Sequence, residues 1–311
     1  MKKTLFNLLR DIYYMKICIL IKLISPLNKG ADILARFMGL LRYHAGYIGQ
    51  KNGKKYFLNI ISESLPHLSQ NQTENILREF WISHQRFFLE LFFFMNLNEK
   101  FVSESVTFSG LEHLDAAISK GNGAVLAVPH MGNERLIHLA LAIKRYPIAV
   151  ITGDFTGAGP FVRHVKLQST KKFHPFFFPD DSPRKFIRFI TTNNAVLQIS
   201  PPADPVKKET RINFLGHQIM VSPAAFRIAR QAGVPLVPAL CLRRGIQKFE
   251  IYFHEQLNFD AQYDKSYNYQ KEMNFLYQWY ESFIRKYPDQ FNWIWLATRI
   301  NFAKTDYTPD V

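Results

Sequence analysis

The sequence predicts an α/β architecture: a central mixed sheet flanked by helices, behind an N-terminal helical region. Three observations carry that prediction. From about residue 104 onward, short apolar runs alternate with longer amphipathic stretches, the order expected of strands covered by helices. Before that point the apolar residues recur at helical spacing. Between them lies one sharp junction. The apolar run Ala124–Val128 stops at Pro129 and opens through Gly132 into the periodic stretch Leu136, Ile137, Leu139, Ala140. A strand that ends in a tight turn into a helix is where open α/β sheets carry their sites. At 311 residues the chain can bury a sizeable core. It divides into a basic, aromatic helical region over 1–100 and an α/β domain over 101–311.

Each element follows from local pattern. Residues 5 to about 100 read mostly as helix. Asn71, with Glu74 three residues on, predicts an N-cap and the start of a helix running through Ile76, Phe80, Trp81 and Phe87 to Met95. Its end, Phe92-Phe93-Phe94-Met95, is aromatic on more than one face, which suits either a buried core helix or a surface facing acyl chains or a bilayer. Strands are predicted at Val125–Val128, Ala149–Thr152, Phe176–Phe178, Ala195–Ile199 and Leu236–Leu242. Helices are predicted at Met131–Lys144, Pro160–Thr170, Pro183–Thr192 and Pro223–Ala232. Asn213–Leu215 and Gln218–Val221 flank Gly216-His217 as a hairpin, with His217 a turn residue. Phe249–Phe253 reads as a sheet edge, and Tyr267–Lys286 as a long closing amphipathic helix.

Charge and cysteine usage narrow the partners. The net charge is +14, and residues 1–60 hold eleven Lys or Arg against Asp11 and Asp32, a local excess of +9. Such a cluster favours an anionic partner. Leu5, Leu8, Leu9, Ile12 and Tyr13 recur at helical spacing among the basic residues, as do Ile17, Ile21 and Ile24. A basic amphipathic helix fits an anionic membrane surface better than a nucleic-acid groove, and no nucleic-acid reader motif is present. An ordinary packed basic helix is the alternative. Lys16 and Lys22 bracket only Ile17–Ile21, too short for a membrane span, which needs ~20 apolar residues, or for a signal-peptide core. Two cysteines, Cys18 and Cys241, give neither a disulfide framework nor a metal spacing and fit a reducing compartment.

The chemistry centres on His130. A histidine at the carboxyl end of a strand, with Glu134 four residues on, is the minimum set for a general base and an orienting partner. A structural histidine satisfied by its surroundings is the other reading. There is no Gly-x-Ser-x-Gly elbow, no His-Glu-x-x-His and no paired-cysteine zinc pattern. The glycine-rich stretch 153–159 lacks the Lys-Ser/Thr of a P-loop.

The segment His130-Met131-Gly132-Asn133-Glu134-Arg135 resembles the motif of the bacterial lipid A late acyltransferases and related lysophospholipid acyltransferases, often spelled His-Leu-Gly-Asn-Trp-Glu. Histidine, glycine and asparagine match. The family's carboxylate position holds Arg135, and Glu134 stands one residue early. The resemblance runs from roughly residue 5 to 300. It includes Arg42 through Asn59-Ile60-Ile61 and Leu65-Pro66, Asn122-Gly123-Ala124-Val125-Leu126, Ala203-Asp204 (with Pro205 where a Gln is usual), Ile212–Gly216, Pro223-Ala224-Ala225, Ala232–Pro238 and Tyr287–Trp293. It implies a glycerolipid-acyltransferase-like sheet and transfer of an acyl group from an acyl carrier protein or coenzyme A thioester to a lipid or glycolipid hydroxyl or amine. It implies His130 as base, with no metal and no cofactor, at the cytoplasmic face of a bacterial inner membrane as a peripheral protein. A non-catalytic lipid- or carrier-binding protein on the same fold is the competing class.

Whether Glu134 serves as the acid depends on where the helix begins. If it has begun at His130, the four-residue offset lets Glu134 meet the ring. If His130 lies in the loop before the helix, the five-residue offset is expected to be productive, and the ring would face Arg135 or open space. Asn133, Arg135, Arg163 and Asp204 are expected to contact substrate. Arg227, Arg230 and the pair Lys207-Lys208 are candidates for anionic head groups, with solvated surface as their alternative.

Overall fold

The computed structural model describes residues 28–45, 53–94, 97–152, 171–201, 209–257, 259 and 267–304. The basic amphipathic stretch before residue 28, the expected helix Pro160–Thr170, Arg163, Asp204, Lys207-Lys208 and Cys18 lie outside them.

Three helices come first: α1 (Asn28–Ala45), α2 (Gly53–Ser64) and α3 (Gln70–Phe93). The cap of α3 is Ser69, not Asn71. Its hydroxyl accepts from Gln72 N at 3.3 Å while Gln72 Oε1 accepts from Ser69 N at 2.8 Å, a reciprocal capping box that satisfies two orphan amides. Asn71, two residues later, falls inside the first turn. After α4 (Glu99–Ser105) the chain alternates: β1 (Val106–Ser109), α5 (Leu111–Ile118), β2 (Ala124–Ala127), α6 (Glu134–Ile143), β3 (Ile148–Ile151), β4 (Phe176–Phe177), α7 (Pro183–Asn193), β5 (Val196–Ile199). A hairpin, β6 (Thr210–Phe214) and β7 (His217–Val221), precedes α8 (Ala224–Ala232), β8 (Leu236–Gly245), β9 (Lys248–Phe253), α9 (Gln270–Lys286), a 3₁₀ turn (Pro288–Gln290) and α10 (Trp293–Lys304).

Seven strands form one sheet in the order β1-β9-β8-β2-β5-β3-β4, parallel throughout except for the antiparallel pair β8–β9. The expected edge strand Phe249–Phe253 therefore lies inside the sheet, covered by β1, whose alternating run Val106–Ser109 is only four residues long. Strand β2 sits near the centre, between β8 and β5, and is buried along its whole length. Side chains alternate across it. Val125, Ala127, Leu197, Ile199 and Leu240 join one core with α2, α3, α9 and α10. Ala124, Leu126, Val196, Ala239 and Cys241 join the other with α5 and α6. A strand buried on both faces reads as a continuous apolar run, which is why Ala124–Val128 stood out in the sequence. The helical lead-in supplies Phe57, Ile61, Leu77 and Phe80 to the first of these cores.

The hairpin turns one residue earlier than the spacing implies, at Leu215-Gly216, both with positive φ (50° and 78°). His217 is thus the first residue of β7. Its Nε2 lies 3.0 Å from Ser64 Oγ, tying the hairpin to α2. Phe94, from the aromatic run, is buried in the core, as the packed alternative required. No helix among the described residues is long and apolar enough to cross a membrane.

Candidate active site

The site is built at the carboxyl end of β2. The ladder to β5 ends as Val128 N donates to Ile199 O at 3.0 Å. Pro129 has no amide proton with which to continue it. The chain then reverses direction through Gly132, whose φ is +60°. A Cβ at Gly132 would lie 1.8 Å from Cys241 O, so backbone passes against backbone there and only glycine fits.

Three separate parts of the chain hold this turn. Gly132 N donates to Gln290 O at 2.8 Å, and Asn292 N donates to His130 O at 3.0 Å. The closing segment Asp289–Asn292 is thus a backbone clamp on the His130 loop. Asn133 is fully buried, and its Nδ2 donates to Glu90 Oε2 at 2.7 Å. Glu90 in turn accepts from Arg243 Nε at 2.8 Å and from Arg243 Nη2 at 2.5 Å. Gln290 completes the set: its Oε1 accepts from Arg243 N at 2.8 Å and its Nε2 donates to Arg243 O at 3.0 Å. Burial pulls the Arg243 guanidinium down, but the Glu90 charge and hydrogen bonds outweigh that and hold it above its ordinary value. Burial likewise raises the Asp289 carboxyl. A buried bidentate ion pair is strongly geometric. It therefore fixes Asn133, and with it the start of α6.

His130 lies in the loop and α6 begins at Glu134, with Asn133 as N-cap. The ring nevertheless meets Glu134: His130 Nδ1 is 3.5 Å from Glu134 Oε1, an ion-pair distance slightly beyond a good hydrogen bond. The expectation that a loop histidine would face Arg135 is corrected here. The tight turn at Gly132 brings the loop back over the first helical residue. Gln198 Nε2 secures that residue by donating to Glu134 O at 3.1 Å. Arg135 points elsewhere, its guanidinium carbon 4.9 Å from the centre of the Phe87 ring on α3. Burial lowers its pKa, and the nearby Glu134 charge partly offsets this.

The other ring nitrogen, His130 Nε2, lies 2.7 Å from Pro201 O. A carbonyl can only accept, so Nε2 carries a proton in this arrangement. Both ring nitrogens then face acceptor oxygens. The Trp295 ring flanks the imidazole at 6.1 Å between centroids.

Of the expected site residues, the structure brings His130 and Glu134 together. Asn133 is buried with its amide committed to Glu90, which makes it a loop anchor where substrate contact was expected. Arg230 is buried with its guanidinium 3.8 Å from the centre of the Tyr267 ring, so neither a solvated face nor an open head-group site describes it. Glu90 and Arg243 were not foreseen; their signals were a charged residue within the apolar-periodic α3 and an arginine closing an otherwise buried strand. Gln290 lay in the matching stretch Tyr287–Trp293, without a role of its own. Among the described residues no three His, Cys, Asp or Glu side chains converge as a metal site.

The family model for bacterial lipid A biosynthesis acyltransferases matches residues 9–300. The chain is similar, at 23% identity over 167 residues, to the phosphatidylinositol mannoside acyltransferase of Mycobacterium tuberculosis, a match covering 52% of this chain and 53% of that protein. The chain thus spans about half the length of that relative. A second relative, the phosphatidylinositol mannoside acyltransferase of Mycolicibacterium smegmatis, is 20% identical over 213 residues, 68% of this chain and 70% of that protein.

Proposed function

Since the chain belongs to the bacterial lipid A biosynthesis acyltransferase family, we propose that it moves a fatty acyl group from an acyl carrier protein or coenzyme A thioester to a hydroxyl or amine of a lipid acceptor. The observation that carries this reading is the His130–Glu134 pair at the end of the central strand. The relatives named for a mannosylated phosphatidylinositol acceptor favour a glycolipid as the acceptor class.

In the proposed reaction the Glu134 carboxylate favours the tautomer with the proton on Nδ1, leaving a lone pair on Nε2. The acceptor hydroxyl displaces the Pro201 carbonyl and takes its place at hydrogen-bond reach of Nε2. His130 takes the hydroxyl proton as the oxygen attacks the thioester carbonyl. The imidazolium, stabilised by Glu134, then returns the proton to the departing thiolate. The acyl–sulfur bond breaks, the acyl–oxygen bond forms, and no covalent enzyme intermediate is needed. Asp204 is assigned to the neighbourhood of the site by resemblance, and Arg163, in the segment after the second strand, to a phosphate or phosphopantetheine of the donor, with a surface salt bridge as its alternative. The acceptor is a membrane lipid, and residues 1–60 carry the basic excess, so the proposal places the protein peripherally on the cytoplasmic face of a bacterial inner membrane.

A second reading, a non-catalytic lipid or carrier binder, is favoured by one observation: the nitrogen that must accept the proton is engaged by Pro201 O. His130→Ala separates the two. Thiol release from an acyl thioester in the presence of a glycolipid acceptor should fall by ~10²–10⁴ in purified, folded protein. Equal release by the variant, or none by the wild type, favours the binder.

A further inference from the structure

Helix α1 is built inside out. Where it crosses α3 its inner face is made of small residues: Ala35 and Gly39 are buried, Ala31 lies one turn before them, and the buried Tyr43 closes the face one turn after. A Cβ at Gly39 would come within 2.6 Å of Ile82 Cα, so the two helix backbones touch. Four bulky residues point the other way. Ile33, Phe37, Leu40 and Leu41, spaced i, i+4, i+7, i+8, form a single outward stripe. They are 66%, 60%, 36% and 53% exposed, and they make up most of the exposed large hydrophobics among the described residues. A helix of a water-facing surface puts charge on that stripe; here none of its members is charged. The surrounding charge has one sign. Residues 28–60 contain six Lys or Arg and one acid, Asp32. Asp32 is already paired with Arg86 at 2.6 Å and Arg36 at 3.2 Å.

We propose that the outer face of α1 is a membrane-docking surface that lies in the plane of an anionic bilayer, with Ile33, Phe37, Leu40 and Leu41 inserted among the acyl chains. This deepens the membrane placement proposed above by naming the surface that makes the contact. Charge chooses the occupant. A second copy docked through the same face would bring two strongly basic surfaces together, whereas an anionic bilayer takes both the apolar stripe and the cations around it. At 18 residues, with Arg36 and Asp32 within it, α1 lies on the interface and does not cross it. Ala35 and Gly39 on the inner face let α1 sit close on α3 while these four large side chains remain free for lipid.

The test is vesicle co-sedimentation of the full chain. Wild type should bind vesicles rich in phosphatidylglycerol and bind phosphatidylcholine vesicles weakly. The double variant Ile33→Glu/Phe37→Glu should lose about tenfold or more in partitioning for each side chain withdrawn from lipid, while Phe275→Glu, an exposed aromatic on α9, should not. Both positions are open to solvent, so the folded state tolerates the change, and circular dichroism checks this. Undiminished binding by the double variant overturns the proposal. So does a wild type that ignores vesicles, or a variant that changes from dimer to monomer with vesicle binding intact. The catalytic reading is tested apart from this. With detergent-dispersed acceptor the double variant should keep its turnover, whereas His130→Ala should lose turnover and keep its vesicle binding.

Discussion

One step along a helix turns a side chain by about 100°, and at the start of α6 that step separates Glu134 from Arg135. Glu134 lies beside the His130 ring; Arg135 lies over Phe87. The displaced carboxylate therefore stands beside the ring, although the family spacing puts it one residue later. Glu134→Gln should lower kcat by on the order of 10²-fold or more with little change in KM, because the neutral amide no longer stabilises the imidazolium. Arg135→Glu, which rebuilds the family spacing in sequence, should not restore activity to that variant. It should cost about 1–3 kcal/mol of stability by placing a second carboxylate next to Glu134 on a half-buried face. Rescue of turnover by Arg135→Glu in the Glu134→Gln background would show that the arginine position, not Glu134, is the one that reaches the ring.

At the scale of elements, α6 is stitched to the chain before β4 by two buried histidines. His174 Nδ1 donates to Pro175 O at 2.7 Å, which leaves His174 Nε2 to accept from His138 Nδ1 at 2.6 Å. This arrangement needs the His174 ring neutral, with Nε2 free of a proton. Burial, the neighbouring His174 and the charge of Arg135 hold His138 well below its usual value, and burial lowers His174. The sign follows from linkage. A depressed histidine binds fewer protons folded than unfolded, so its contribution is full above the unfolded value of about 6.5 and is lost as pH falls below it. Stability measured by urea unfolding should therefore drop between pH 7 and pH 5 by up to about 1.4 kcal/mol per pH unit for each histidine. His138→Gln keeps an N–H donor for His174 and cannot be charged, so it should flatten the profile. Identical pH profiles for variant and wild type would mean that other groups govern acid sensitivity.

For the whole molecule, the proposed membrane contact has two physically separable parts. Residues 1–27 carry five Lys or Arg and one acid, an electrostatic contribution screened by salt. The α1 stripe is an apolar contribution that salt does not screen. Removing residues 1–27 should weaken binding to anionic vesicles at low ionic strength, each basic residue near such a surface being worth about 1 kcal/mol, and should leave a salt-insensitive remainder. A truncated chain with an unchanged salt profile would show that the first 27 residues do not contact lipid.

The sequence by itself determined the α/β class, the places of β2, β3, β5 and β8, and the position of His130 in the turn that ends β2, because periodicity and the Pro–Gly turn act over a few neighbouring residues. The resemblance in the His130 segment and the later matching stretches determined the family. Tertiary structure decided the rest. Ser69 caps α3 where Asn71 also had the chemistry, because cap choice turns on backbone angles. Strand Phe249–Phe253 is interior because β1, from a hundred and forty residues earlier, adds to its free side. The partner of His130 depended on a one-residue register, and that register is set by Cys241, Gln290 and the Glu90–Arg243 pair, contacts between groups far apart in the chain. Local pattern specifies elements because its interactions are short in sequence. The aim of a side chain is set by whatever packs behind it, and only the folded chain brings those groups together.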